Sequence, residues 1–239
     1  MWYNFGFGLK FNPKLLETNS FLVILGIRFT VRGVTRIIYV WFLTSLLGII
    51  LILPVHFLSV EHLKLERKFG IDKGTKIGDI LGIISGWGFF IFWIGIWVSP
   101  QPGFTVSFFH NLETVISIGS FSIPFLHFLL SIPFIFLGVL FGIKGVKLTT
   151  LKVAETHRPE KIVTNGVYSK VRHPQYFGGL LAHVGISFLL SAEYSLFLTP
   201  LMTFIIYLIS KKEEKELIKE FDKEYLDYKK KVPMLLPKF

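Results

Sequence analysis

Long uncharged runs separated by short charged stretches organise the 239-residue chain. Residues 37–60 form the first run, 24 positions without a charge, enough for a helix to cross a hydrocarbon core of about 30 Å. Pro54 and His56 mark its end. Residues 61–79 carry five Lys/Arg and Gly70, and read as a polar loop with one short helix. Residues 80–112 are uncharged but broken at Pro100-Gln101-Pro102-Gly103, which predicts a span near 80–99, an exposed turn and an interfacial stretch. Residues 114–143 are uncharged again. A span near 120–143 tolerates Pro124 and Pro133, because neighbouring helices satisfy the freed carbonyls. Residues 144–172 form a 29-residue loop with seven Lys/Arg, too long for a mere connector. Residues 174–192 and 194–210 are two apolar segments separated by Glu193 alone, which predicts an antiparallel hairpin with Arg172 and Lys211 on one side of the membrane.

The two ends of the chain have a different pattern. Residues 1–36 mix aromatic and basic positions, and Arg28, Arg32 and Arg36 recur every four residues, a spacing that stacks them on one face of a helix lying on the membrane surface. From Lys211 the chain becomes charged and helical. On a wheel of 100° per residue, Leu217, Ile218, Phe221, Tyr225 and Tyr228 fall in one stripe, with Lys215, Lys219 and Lys223 roughly opposite. Glu214 falls inside the apolar stripe and Glu213 at its flank. A carboxylate on a packing face requires a cation, either from the 144–173 loop or from a bound ligand. Val232-Pro233 and Pro237 end this helix and fold the tail back.

The expected fold is therefore all-α, a polytopic membrane helix bundle of about five spans that ends in a helical hairpin and a cytoplasmic amphipathic helix. Composition agrees, with 51% hydrophobic residues and 26 phenylalanines that suit lipid-facing packing. No cysteine is present, which excludes disulfides and thiolate metal sites. The net charge of +10 sits beside apolar segments and fits anionic membrane lipids, not nucleic acid. The apolar run 21–27 is short and followed by arginines, unlike a cleavable signal. The positive-inside rule puts the basic loops around the hairpin in the cytoplasm, yet five spans then leave residues 1–36 outside with five Lys/Arg of their own.

Candidate chemistry concentrates at Gly166-Val167-Tyr168-Ser169-Lys170-Val171-Arg172-His173-Pro174-Gln175-Tyr176-Phe177-Gly178. Pro174 suits the first helical position, so His173 becomes the cap and the positive end of the helix faces the basic loop, a place for a carboxylate or phosphate. Together with Ile162-Val163, Glu213-Glu214, Glu224-Tyr225, Tyr228 and Val232-Pro233, this stretch resembles the signature of the isoprenylcysteine carboxyl methyltransferase and phospholipid methyltransferase superfamily of integral membrane enzymes. The resemblance covers about 80 residues, in order and at the family's spacing. The polarity pattern divides the chain into an interfacial segment over 1–36 and N-terminal spans over 37–143, and the resemblance implies a methyltransferase-like module over 144–239.

The resemblance further implies S-adenosylmethionine as cofactor and a lipophilic or prenylated methyl acceptor that reaches the site from the bilayer. Methyl transfer is an in-line displacement at a carbon already activated by the sulfonium, so the protein must align the reactants and exclude water. Glu213 or Glu214 suits the cofactor's ammonium, and Arg172 or the helix start at Pro174 its carboxylate. Tyr168 or Tyr176 suits the sulfonium, and His173 lines the cofactor or orients the substrate. The loop from Glu160 through Val163 and Gly166 to Tyr168 would wrap the adenosine. Family members often carry histidine where this chain has Glu160, and the nearest histidine is His157.

Phospholipid N-methylation is an alternative within the superfamily. Sterol reductases share a similar hairpin with Arg-His-Pro-x-Tyr and bind NADPH, but Gln175, Glu213-Glu214 and Glu224-Tyr225 depart from their pattern. A transporter or scaffold would show internal repeats and paired charges within spans, and neither is found. His127 and His183 lie inside expected spans and read as neutral histidines bonded to a neighbouring helix. His56, His62, His110 and His157 lie near span ends and read as interfacial. Gly178-Gly179 reads as a close helix approach.

Overall fold

The computed structural model describes residues 3–5, 9–11, 27–31, 34–106, 114–118 and 121–237. Helices dominate. α1 spans Val40–Ser59, α2 His62–Phe69 and α3 Ile71–Val98. After the 99–124 region come α4 (Phe125–Thr149), the short α5 (Leu151–Thr156) and a 3-10 turn at Gly166–Ser169. α6 (Pro174–Leu189), the one-turn α7 (Glu193–Phe197) and the long α8 (Thr199–Lys231) complete the chain. Three two-stranded antiparallel hairpins accompany them: β1 (Tyr3–Phe5) with β2 (Leu9–Phe11), β3 (Ile27–Val31) with β4 (Val34–Ile38), and β5 (Val115–Ile118) with β6 (Phe121–Pro124).

α1, α3 and α4 are long and apolar enough to cross a membrane, by length and composition. Their exposed faces carry the apolar stripe that a soluble protein would bury. Ile80, Ile84, Trp87 and Ile91 on α3, and Ile132, Phe136, Val139 and Ile143 on α4, are all exposed and recur at helical spacing.

Several boundaries differ from the sequence expectations. Among the described residues three helices reach spanning length alone; α6 has 16 residues, and the apolar start of α8 passes directly into its charged part. The polar residues 71–79 are helical, extending α3 beyond its apolar core, because only Gly70 interrupts the chain there. The span expected from residue 120 begins at Phe125, and Pro124 closes β6. Arg28 and Arg36 lie on paired strands, where the β-branched Ile27, Thr30, Val31, Val34 and Thr35 favour extension over the helix that would have stacked them. Arg32 and His110 lie outside the described residues.

The chain packs as two compact units. The first comprises residues 1–48, 91–135 and 183–199. His183 is its polar centre, fully buried, with Nδ1 accepting from the indoles of Trp93 at 2.9 Å and Trp97 at 2.8 Å and Nε2 2.9 Å from the Ser195 carbonyl. Two donors on Nδ1 leave the proton on Nε2, so the ring is a neutral bridge between helices. His127 is likewise satisfied, accepting from the Val106 N–H at 3.1 Å and meeting Ser191 Oγ at 2.9 Å. Both histidines behave as their place in the sequence suggested, and neither is free to bind a ligand.

The second unit comprises residues 49–90, 136–182 and 200–239. Within it α4 and α6 meet at glycines. A Cβ on Gly178 would lie 2.6 Å from the Gly138 carbonyl and 2.7 Å from the Gly142 nitrogen, and one on Gly138 would lie 2.8 Å from the Gly178 carbonyl. The backbones touch because side chains are missing, and this contact sets the start of α6 and the motif before it. Gly178→Val should therefore cost about 1–3 kcal/mol or more through overpacking. Gly142→Ala, whose Cβ meets nothing within 4 Å, should be neutral. Thermal unfolding of the two variants in detergent checks this contrast.

Candidate active site

A cavity of about 960 Å³, counting its open mouth, lies in the second unit. Its walls come from Val60 and His62, from 149–163 after α4, from Tyr168 and 172–176 at the start of α6, and from Glu213 to Tyr228 on α8. Apolar and aromatic groups dominate, among them Val153, Ile162, Val163, Leu217, Tyr225 and Tyr228.

The wall is assembled by tying the motif loop to the C-terminal tail. Arg172 and His173 donate their backbone N–H groups to the carbonyls of Pro233 at 2.9 Å and Met234 at 3.2 Å. Tyr228 donates its hydroxyl to the Tyr168 carbonyl at 2.7 Å, and the Arg172 guanidinium reaches the carbonyls of Lys229 and Val232. The apolar stripe expected on the C-terminal helix is present, with Tyr225, Tyr228 and Val232 buried against Ile162, Leu217, Ile218 and Phe221. α8 runs without interruption from its apolar start into this charged part, apart from Asp222, whose φ of 44° and ψ of −118° break the helical path. Gly166, with φ of 58°, turns the loop toward Tyr168, a conformation that glycine adopts without strain.

Glu213 and Glu214 are adjacent but do different work. Glu214 is 1% exposed and does not line the cavity. Its oxygens meet Arg172 Nε at 2.6 Å, Lys229 Nζ at 2.8 Å and His173 Nε2 at 3.4 Å. Burial pushes its carboxyl up, but the donors from His173, Arg172 and Lys229 outweigh that and bring it to about 2. The cation that the wheel demanded comes from the protein itself. Glu213 does line the cavity. It accepts from the Tyr176 hydroxyl and faces His56 Nε2 at 3.4 Å, His173 Nδ1 at 3.5 Å and His157 Nδ1 at 3.8 Å. Burial raises this carboxyl too, and the contact from His56 with the nearby histidines lowers it to about 2. Burial and the neighbouring His56 hold His157 down at about 4, so His157 is neutral at pH 7 and acts on Glu213 as a dipole.

Of the residues singled out in the sequence, Val163, Tyr168, Arg172, His173, Pro174, Tyr176 and Glu213 converge on this cavity. Three do not line it. Glu160 is exposed, Gly166 packs against Leu148, and Glu214 is held behind the wall by its cations. Sequence reading missed His62 and His157, which it placed at the interface, and also Thr149, Gln175 and Lys161. Gln175 donates to Tyr168 Oη at 3.3 Å and to Thr149 Oγ1 at 3.1 Å, which fixes the tyrosine ring. His157 is turned inward by its left-handed φ of 55° after α5. The one available signal was the histidine missing at position 160 and present three residues earlier.

The ion pair behind the wall has a measurable consequence. Glu214 has a folded pKa below its unfolded value of about 4.5, so its contribution to stability is complete above pH 4.5 and is lost as pH falls toward 2. Arg172→Ala leaves that buried carboxylate without its shortest partner and should cost about 3–5 kcal/mol, lowering the thermal midpoint at pH 7 and starting the acid transition at higher pH. Lys219→Ala, at a side chain 58% exposed, should stay within about 0.5 kcal/mol. Circular dichroism in detergent against temperature and pH reads both.

With this geometry in place, comparison with known proteins gives a consistent answer. A sequence model of the phospholipid methyltransferase family matches residues 116–224. Protein-S-isoprenylcysteine O-methyltransferase of Mus musculus is 36% identical over 85 residues, 35% of this chain and 29% of that protein. The Xenopus laevis protein of the same name is 40% identical over 77 residues, 32% of this chain and 27% of its own length. The matched stretch thus spans less than a third of these relatives. These similarities support, for the part of the chain that builds most of the cavity, the superfamily that unites the phospholipid and isoprenylcysteine methyltransferases.

Proposed function

We propose that the protein is a membrane-embedded, S-adenosylmethionine-dependent methyltransferase, similar to the isoprenylcysteine carboxyl methyltransferases, that acts on a lipophilic acceptor. The observation that carries this reading is the convergence of Tyr168, Arg172-His173-Pro174, Tyr176, Glu213, Tyr225 and Tyr228 on one cavity, although they are spread over some sixty positions of the chain.

The residues fit the cofactor. The lining suits a nucleoside carrying an amino-acid tail, with apolar walls for the base and ribose at Val153, Ile162, Val163 and Leu217. Glu213 is the acidic group for the ammonium, since Glu214 is saturated by Arg172 and Lys229. Tyr168 and Tyr176 line the cavity as the aromatic groups for a sulfonium, Tyr176 with one face stacked on His173. The cofactor, when bound, supplies a methyl group already activated toward displacement. The protein's part is to hold donor and acceptor in line and keep water out, and the tail clasped over the motif loop would serve that end. The cofactor would come from the cytoplasmic side, where the basic 144–172 loop belongs by the positive-inside rule. The acceptor would come from the bilayer. A carboxylate acceptor, as the resemblance to the isoprenylcysteine carboxyl methyltransferases implies, needs no general base.

Calorimetric titration of the purified chain with S-adenosylhomocysteine, with NADPH in parallel, tests the proposal. Binding of the first is expected, weakened at least tenfold in Glu213→Gln and unchanged in Lys219→Ala. Binding of NADPH alone would move the same residues to reductase chemistry, and binding of neither would overturn the reading.

A further inference from the structure

The cavity's key carboxylate is oriented from a part of the chain that the family match does not reach. His56, on α1, is 6% exposed, and its Nε2 has no hydrogen-bond partner other than the carboxylate 3.4 Å away at Glu213 Oε1. Its Nδ1 lies 3.5 Å from the hydroxyl of Ser85 on α3, itself fully buried. Ser85 Oγ also donates to the Gly82 carbonyl at 3.1 Å, which fixes the hydroxyl on its helix. The ring thus sits between a hydroxyl at Nδ1 and a carboxylate at Nε2, and a proton on Nε2 points at Glu213. The result is a chain, Ser85 to His56 to Glu213, that runs from α3 through α1 to α8.

We propose that His56 is a positioning residue: held by Ser85, it aims the Glu213 carboxylate into the cavity and keeps it ionised to receive a cationic group of the ligand. The ligand's identity rests on the methyltransferase reading, but the orientation of Glu213 does not. The other groups facing Glu213 are Tyr176, His173, His157 and the adjacent Glu214. Tyr176 donates, His173 is shared with Glu214, and His157 is neutral at pH 7 at 3.8 Å. His56 is thus the one partner whose buried Nε2 is given over to Glu213 alone. Without it, burial works against the charge, and the carboxyl should take up a proton at higher pH.

Two readouts on the full chain in detergent test this. In the first, S-adenosylhomocysteine affinity is measured by calorimetry from pH 5 to 8 for the wild type, His56→Ala, His56→Gln and Ser85→Ala. In the second, the carboxyl infrared band of Glu213, identified by difference from Glu213→Gln, is followed against pH with no ligand present. His56→Ala should move the acid limb of both curves up by about one pH unit or more, a tenfold loss of affinity on the acid side. His56→Gln, which keeps an N–H for the carboxylate, should restore most of it, and Ser85→Ala should give a smaller shift of the same sign. Should His56→Ala fail to fold, the Ser85→Ala and His56→Gln curves still decide. If the wild type ignores S-adenosylhomocysteine while the infrared limb moves, the positioning role stands and the methyltransferase reading falls. If the wild type binds and no variant moves either limb, His56 is mere packing and the proposal is overturned.

Discussion

Two neighbouring carboxylates buried at the end of an apolar helix are the constraint around which the second unit is built. Each costs several kcal/mol to take out of water unless donors meet it. Consecutive residues on a helix point about 100° apart, so the two carboxylates draw most of their partners from different segments. Glu214 turns toward the motif loop and the tail, where Arg172 and Lys229 neutralise it. Glu213 turns toward α1 and the cavity, where histidines and a tyrosine hydroxyl surround it. His173 reaches both.

That division explains the order of the surrounding parts. Arg172 can reach Glu214 only if the loop before α6 lies against the end of α8, and the backbone bonds from Arg172 and His173 to Pro233 and Met234 hold it there. Pro174 then starts α6 in the right direction, and the glycine contact between α4 and α6 sets how closely the helix approaches. The tyrosines of the apolar stripe close one side of the cavity, with Tyr228 pinned to the Tyr168 carbonyl. The proposed chemistry asks nothing more elaborate of the protein. A site that only aligns an activated methyl donor with an acceptor needs shape, dryness and one well-placed charge.

The first unit has the opposite logic. Its buried polar groups are closed on themselves, with His183 between two indoles and a carbonyl and His127 between a backbone N–H and a serine. Such groups are tolerated inside an apolar bundle because, as at His183 and His127, they find partners.

Much of this was determined by the sequence alone. Uncharged runs long enough for a bilayer dictated a helical membrane protein, the Arg-His-Pro motif with the Glu-Glu pair pointed to the superfamily, and the helical period put Leu217, Ile218, Phe221, Tyr225 and Tyr228 on one packing face. Those properties are local, set by composition and by a period of 3.6 residues. Which of two adjacent glutamates faces the cavity was not, because at the edge of a stripe the answer depends on where cations from distant segments arrive. Nor did linear order show that His56, His62 and His157, each near the end of a hydrophobic run, gather around one site. A histidine at a span end is the same sequence feature whether it meets water or a carboxylate. Only the tertiary structure, by bringing α1, the α5 turn and α8 together, decided which.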